Sequence, residues 1–253
     1  MTKTKHRLIM ELLLLVVALI LFVQTSFAYF TSKKETGATI TSGTVSIMLS
    51  EAAVTRDGNG NLVEDTESAR IFGTSDGAVH DYGVVFPGQG IFKDPTISNT
   101  GDGPAWIAAK VTITDGSKDV HRVLGFENYD DLDLAGFMTG GLMDEGEHFG
   151  TWNGLENVTY SDNFAMLQVP HRAEGRYDVY FFVLAPLARA ESVVLFENLY
   201  FSGDYDNIQI QEFAELKIDV VAYGVQNQGF ASCYEAMLTA LPEHFEDFLQ
   251  PAP

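Results

Sequence analysis

From Ala38 onward, short apolar stretches alternate with turn-forming clusters, the pattern of an all-β sandwich rather than of a helical or α/β chain. Val45, Ile47 and Leu49 alternate with Thr44, Ser46 and Met48. Ile107, Ala109, Val111 and Ile113 alternate with Trp106, Ala108, Lys110 and Thr112, and Leu216, Ile218, Val220 and Ala222 alternate with Glu215, Lys217 and Asp219. Each set predicts a strand with one buried face. Residues 177–184 and 193–201 are instead nearly continuous β-branched and aromatic runs, expected of strands covered on both sides or lying at a sheet junction. Turn chemistry punctuates these strands at Asp57-Gly58-Asn59-Gly60-Asn61, Pro87-Gly88, Asn99-Thr100-Gly101-Asp102-Gly103 and Ser202-Gly203-Asp204. In 120–143, Asp130, Asp131 and Asp133 interleave with Leu132, Leu134, Phe137 and Met138, which predicts a short helix or an irregular insertion. Over 231–250, Tyr234, Met237, Leu238 and Leu241 recur at helical spacing, and Phe245, Phe248 and Leu249 follow Pro242. One or two amphipathic helical segments are expected to pack on the sandwich there.

The first 28 residues follow a different rule. Lys3, Lys5, His6 and Arg7 form a basic start, 8–23 is almost wholly apolar, and Ser26-Phe27-Ala28 offers small residues where a signal peptidase reads. A cleavable signal peptide over 1–28, cut between Ala28 and Tyr29, is the expectation. A retained anchor is the other reading, but the run contains Glu11 and falls short of the roughly 20 residues that span a bilayer. No later run reaches that length and no Leu-Pro-x-Thr-Gly sorting signal precedes Pro253, so the mature chain is expected to touch the membrane only through the uncleaved signal peptide. The remainder, 29–253, is sized for a single sandwich domain.

Charge narrows the choice of partner. The chain carries 15 Lys and Arg against 35 Asp and Glu, and removal of 1–28 takes the net charge from -20 to -22. Such a surface repels phosphate backbones and anionic lipid, which argues against nucleic acid. It favours solubility and can hold divalent cations loosely; a solvated acidic surface is the plainer reading, with specific metal binding the alternative. Cys233 is the only cysteine, so no internal disulfide forms; in a helical segment it reads as a small buried apolar group rather than a nucleophile.

No motif for catalysis emerges. The six histidines, His6, His80, His121, His148, His171 and His244, include no His-Glu-x-x-His and no i, i+4 pair, so no local zinc site is predicted; a site assembled from distant strands stays open. There is no Gly-x-Ser-x-Gly elbow, and Gly88 and Gly90 lack the Gly-Lys-Ser/Thr ending of a phosphate loop. Asp57, Asn59 and Asn61 imitate the first half of a calcium loop, but Leu62 and Ser68 stand where its glycine and glutamate belong; a hairpin tip is expected, with calcium a weak alternative. No catalytic, cofactor-binding or metal residue is assigned.

The order of these features resembles the TasA/camelysin family. Ala28-Tyr29-Phe30-Thr31-Ser32 and then Ala38-Thr39-Ile40-Thr41-Ser42-Gly43-Thr44-Val45 are similar to the family's start. Phe86-Pro87-Gly88-Gln89, Lys93-Asp94 and Asn99-Thr100-Gly101 resemble its Pro-Gly-Asp, Lys-Asp and Asn-Thr-Gly elements. Ala105 to Ile113 resembles the next strand, and Ala222-Tyr223-Gly224-Val225-Gln226 with Gly229-Phe230 resembles its closing strand and tail. Ala188-Arg189-Ala190-Glu191-Ser192 departs from a Pro-Gly-Glu-Ser pattern and leaves that turn type open. The resemblance implies a jelly-roll-like antiparallel β-sandwich with short peripheral helices, export through a SipW-type signal peptidase, and a structural role in biofilm matrix fibres or a surface coat. Its partners would be copies of itself and accessory matrix proteins. It further implies assembly by donor-strand exchange, with 29–37 as the donor; pairing of that segment within its own sandwich is the alternative. A camelysin-like metalloprotease and a ligand-binding surface module remain the competing functions, although no residue here matches a protease site.

Overall fold

In a computed structural model of the chain, the described residues are 31–33, 44–73, 88–115, 138–144, 148–171, 174–200 and 216–248. The signal segment with Ala28 and Tyr29, the rest of the donor segment, most of the insertion and the turn at Ser202 lie outside them. The first strands are β1 (Thr31–Lys33), β2 (Ile47–Glu51), β3 (Val54–Arg56), β4 (Leu62–Glu64), β5 (Ile71–Phe72), β6 (Gly90–Phe92), β7 (Thr96–Asn99) and β8 (Ala105–Asp115). After these come β9 (Met138–Thr139), β10 (His148–Trp152), β11 (Leu155–Tyr160), β12 (Phe164–His171), β13 (Arg176–Val183), β14 (Ser192–Val194), β15 (Asn198–Tyr200) and β16 (Leu216–Gln226), and then helix α1 (Cys233–Ala240). The expected all-β sandwich is present. One large sheet runs β1-β16-β8-β13-β12-β11-β10, and two smaller ones run β14-β7-β2-β5 and β3-β4-β6-β15-β9.

The inner face of the large sheet carries Ile107, Val111, Ile113, Val179, Phe181, Phe164 and Met166. They meet Ile47, Ile97, Ile91, Leu195, Phe196 and Leu199 from the smaller sheets in one core. Size complementarity across the register makes this close packing feasible. Ala109 on β8 pairs with Phe181 on one side and Ala222 on the other, and Ala108 pairs with Phe182 and Tyr223. Small residues on β8 therefore leave room for aromatic rings on the flanking strands.

One expectation is corrected here. The first half of strand β8 is buried on both faces, because Trp106 and Ala108 on its outer side are covered, whereas Lys110 and Thr112 farther along that side stay partly exposed. The cover is the C-terminal segment, whose Cys233, Ala236, Met237, Leu241 and Phe245 form a second core with Trp106, Ala108, Phe182, Tyr223 and Val225. Helix α1 starts where Ser232 accepts a hydrogen bond from the Glu235 amide, while the Glu235 carboxylate accepts from the Ala231 amide; it ends before Pro242. Two 3-10 turns, Pro242–His244 and Glu246–Phe248, then carry Phe245 and Phe248 across the sheet. Phe248 meets the Tyr180 ring edge-on at 4.8 Å, and Phe245 meets Tyr223 at 5.2 Å.

The run 193–201 does not form one strand. It divides into β14 and β15 in different sheets, with Leu195 and Phe196 wholly buried at the bend, so the sheet-junction reading is the one realised. The strand expected from Thr44 begins only at Ile47. Asp57 closes the β3–β4 hairpin as anticipated. Its Oδ1 accepts from the Asn59 and Asn61 amides and its Oδ2 from the Asn61 side chain, an arrangement that holds the Asp57 carboxyl below its ordinary pKa.

Candidate functional site

The motifs that carry the family resemblance converge on three places. The first is a corner where strands leave the four-stranded sheet for the five-stranded one: β2 into β3, β14 into β15, and β6 into β7 in the opposite sense. Lys93 and Asp94 sit in the last of these connections and are both buried. Lys93 Nζ lies 2.7 Å from each Glu51 oxygen, and its amide donates to the Glu197 carbonyl. Asp94 Oδ1 accepts from the Ala52 amide at 2.6 Å, and its Oδ2 pairs with Arg70 at 2.7 Å. One Lys-Asp dipeptide thus ties all three corner connections, and its charges are spent on folding.

The second place is the turn after β7. The buried Asn99 amide donates to the Gly103 and Leu187 carbonyls, and its oxygen accepts from the Gly101 amide. A Cβ on Gly101 would fall 2.5 Å from the Thr44 carbonyl oxygen, so the Asn-x-Gly element is required where the chain entering β2 passes. Opposite it, Ala190 takes a left-handed φ of 65°, in a turn where its amide donates to the Asn99 carbonyl. The backbone there makes a glycine-type turn with an alanine in the left-handed position.

The third place is the edge of the large sheet. Strand β1 pairs antiparallel with β16, Thr31 opposite Val225, Ser32 opposite Gly224 and Lys33 opposite Tyr223. The Ala-Tyr-Gly-Val-Gln element is therefore the seat of the N-terminal strand. Gly224 belongs there for a steric reason, since a Cβ would lie 2.8 Å from Ile47 Cγ2 and 3.2 Å from Val45 Cγ1. Strand β8 pairs with β16 along all eleven of its residues, whereas among the described residues β1 pairs with it at three, so the described part of β1 is a short ladder. Of the segment expected to act as donor, 31–33 thus pairs within its own chain.

A further cluster, unassigned from the sequence, occupies the outer face of the large sheet beside the aromatic cover. Strand alternation puts Lys110 and Thr112 of β8, Arg176, Asp178 and Tyr180 of β13 and His171 of β12 on that face, and Asp247 reaches them from the last 3-10 turn. Asp178 is 1% exposed; Thr112 donates to its Oδ1 at 2.8 Å, while Lys110 Nζ and Arg176 Nε each stand 3.5 Å from its Oδ2. Tyr180 donates to Asp247 Oδ2 at 2.7 Å. Burial, and then this bond to a carboxylate, push the Tyr180 hydroxyl well above its ordinary pKa. His171 Nε2 lies 3.2 Å from Asp178 Oδ2 and 3.5 Å from Asp247 Oδ2, yet it makes no well-formed hydrogen bond. The signal for this cluster was Asp178 itself, the one charged side chain in the run 177–184.

The remaining candidates are inert or elsewhere. Cys233 is wholly buried, its thiol donates to the Ile107 carbonyl, and burial raises its pKa, which suits a core side chain. His148 packs at a tilt against Tyr160 and His244 against Tyr223; His6, His80 and His121 lie outside the described residues. Compared with family models, curated proteins and solved structures, the chain matches none of them.

Proposed function

We propose that this chain is an exported, non-enzymatic structural protein of the cell surface or extracellular matrix, of the TasA/camelysin kind, assembling into fibres by exchange of β1 between copies. The observation that carries this reading is the β1–β16 pairing. Among the described residues, β1 sits on the outermost edge of the large sheet, is held by three residue pairs, and precedes the first core strand by a stretch of chain. Any second copy offers the same Tyr223–Gly224–Val225 seat, so exchange needs no new complementary surface. Each copy both gives and receives, and a head-to-tail contact that does not close gives a filament. Signal cleavage after Ala28 would leave Tyr29 and Phe30 directly ahead of β1, so export would release the donor from the membrane.

Deleting 29–37 tests it. The intact mature chain is expected to form filaments on concentration or acidification, the latter because protonated carboxylates relieve the repulsion of a strongly acidic surface. The shortened chain is expected to stay a folded monomer, by light scattering and electron microscopy. Equal filament formation by both, or none by the intact chain in any condition, removes the exchange mechanism.

A further inference from the structure

We propose that His171, Asp178 and Asp247 form a binding site for one divalent ion of the zinc class, which clasps the C-terminal segment onto the large sheet. The inference is independent of the fibre reading, since none of the three residues belongs to β1 or to β16. The three donor atoms come from β12, β13 and the final 3-10 turn, and all lie within 4.8 Å of one another. The separations from His171 Nε2 are 3.2 and 3.5 Å. Ligands held at zinc's usual bond lengths in a tetrahedron stand about 3.3 Å apart, so one ion can reach all three donors with small adjustments.

The surroundings favour an ion over a plain hydrogen-bonded cluster. His171 Nε2 is shielded from solvent and without a hydrogen bond although two carboxylate oxygens face it, and a nitrogen so placed lacks the partner that burial demands. The outer contacts orient the ligands: Thr112 holds Asp178 Oδ1 and leaves Oδ2 toward the histidine, and Tyr180 fixes Asp247. Imidazole with two carboxylates suits zinc and its neighbours in the first transition row rather than calcium, which takes six or more oxygens.

Two cations stand nearby and must yield. Lys110 and Arg176 are each 3.5 Å from Asp178 Oδ2, longer than the 2.7–2.9 Å typical of a charge-assisted hydrogen bond. Arg176 also pairs with Glu174 at 3.2 Å, and Lys110 lies 5.8 Å from the centre of the Tyr180 ring. Both side chains are partly exposed, so they can turn toward solvent as the ion enters.

Titration calorimetry of the purified full chain with zinc chloride, beside thermal melts with and without zinc, tests the site. Saturable binding of one ion per chain is expected, with a melting temperature raised by zinc and returned by a chelator. His171→Ala and Asp247→Asn should each weaken binding at least tenfold and abolish the shift, while Glu243→Gln, an acidic change outside the cluster, should do neither. Asp247 lies at the surface end of the cluster, so the Asn variant keeps a readout should His171→Ala fail to fold. Undiminished binding in the folded variants would place the ion elsewhere on the acidic surface, and absence of saturable binding to the parent chain would overturn the proposal.

Discussion

Ala190 shows how a single position can carry strain for the sake of the turn it sits in. An L-residue with a side chain at φ 65° costs about 1–2 kcal/mol relative to glycine, and here the turn is over-determined by the Asn99 and Glu191 hydrogen bonds around it. Ala190→Gly is therefore expected to stabilise the chain by about 1 kcal/mol in urea unfolding, part of the relief being offset by the greater freedom of glycine in the unfolded chain. An unchanged or lowered midpoint would mean the turn relaxes in solution. The buried tyrosines point the other way, toward a cost that appears only in alkali. Burial raises the pKa of Tyr177, Tyr180 and Tyr223, the last to about 12, whereas in the unfolded chain they ionise near 10. The folded state then keeps protons that the unfolded state loses, so stability is flat in these groups below about pH 9 and falls as pH rises past 10. Urea midpoints that do not decline between pH 10 and 11 would contradict the burial of these rings.

At the scale of elements, β13 unites the two cores. Phe181 and Phe182 alternate, so one enters the sandwich interior and the other lies beneath the C-terminal turns, and both are wholly inaccessible. With both faces covered, truncation of either to Ala is expected to cost about 3–5 kcal/mol, read as lowered melting of each variant. A variant that melted with the parent would show its face to be open. Much of this was legible beforehand: the inner faces of β8 and β16 follow period-two alternation, and the nearly continuous apolar run over β13, broken only by Asp178, marks burial on both sides. The helix was visible from its spacing and from Pro242. What could not be read was which polar face would be covered. Trp106 and Ala108 alternate with core residues just as exposed positions do, and only the docking of a segment more than a hundred residues away buries them. The corner was obscured likewise. Lys93 and Asp94 look like surface charges until Glu51 and Arg70 are brought beside them by strand pairing. The cluster at His171 is non-local in the same sense, its three donors spread over 77 positions of chain between His171 and Asp247 with no repeat spacing.

At the scale of the whole molecule, the sandwich has one sheet edge held by a short strand and one bearing exposed aromatic surface, Phe149 on β10. Long acidic sequences resist association, and the strong net negative charge would keep the monomer dispersed until concentration or acid offsets it. The fibre account adds that association, once begun, runs through one strand and its seat. A chain lacking 29–37 keeps the seat on β16 and lacks the donor, which makes it a terminator of growth rather than a bystander. The most direct measurement is elongation of filaments of the mature chain, followed by light scattering and electron microscopy, with this shortened chain added in small proportion. The account predicts that filaments shorten in step with the amount added, because each incorporated terminator offers no β1 to the next copy; filaments of undiminished length, with the shortened chain left in solution or incorporated without stopping growth, would contradict it.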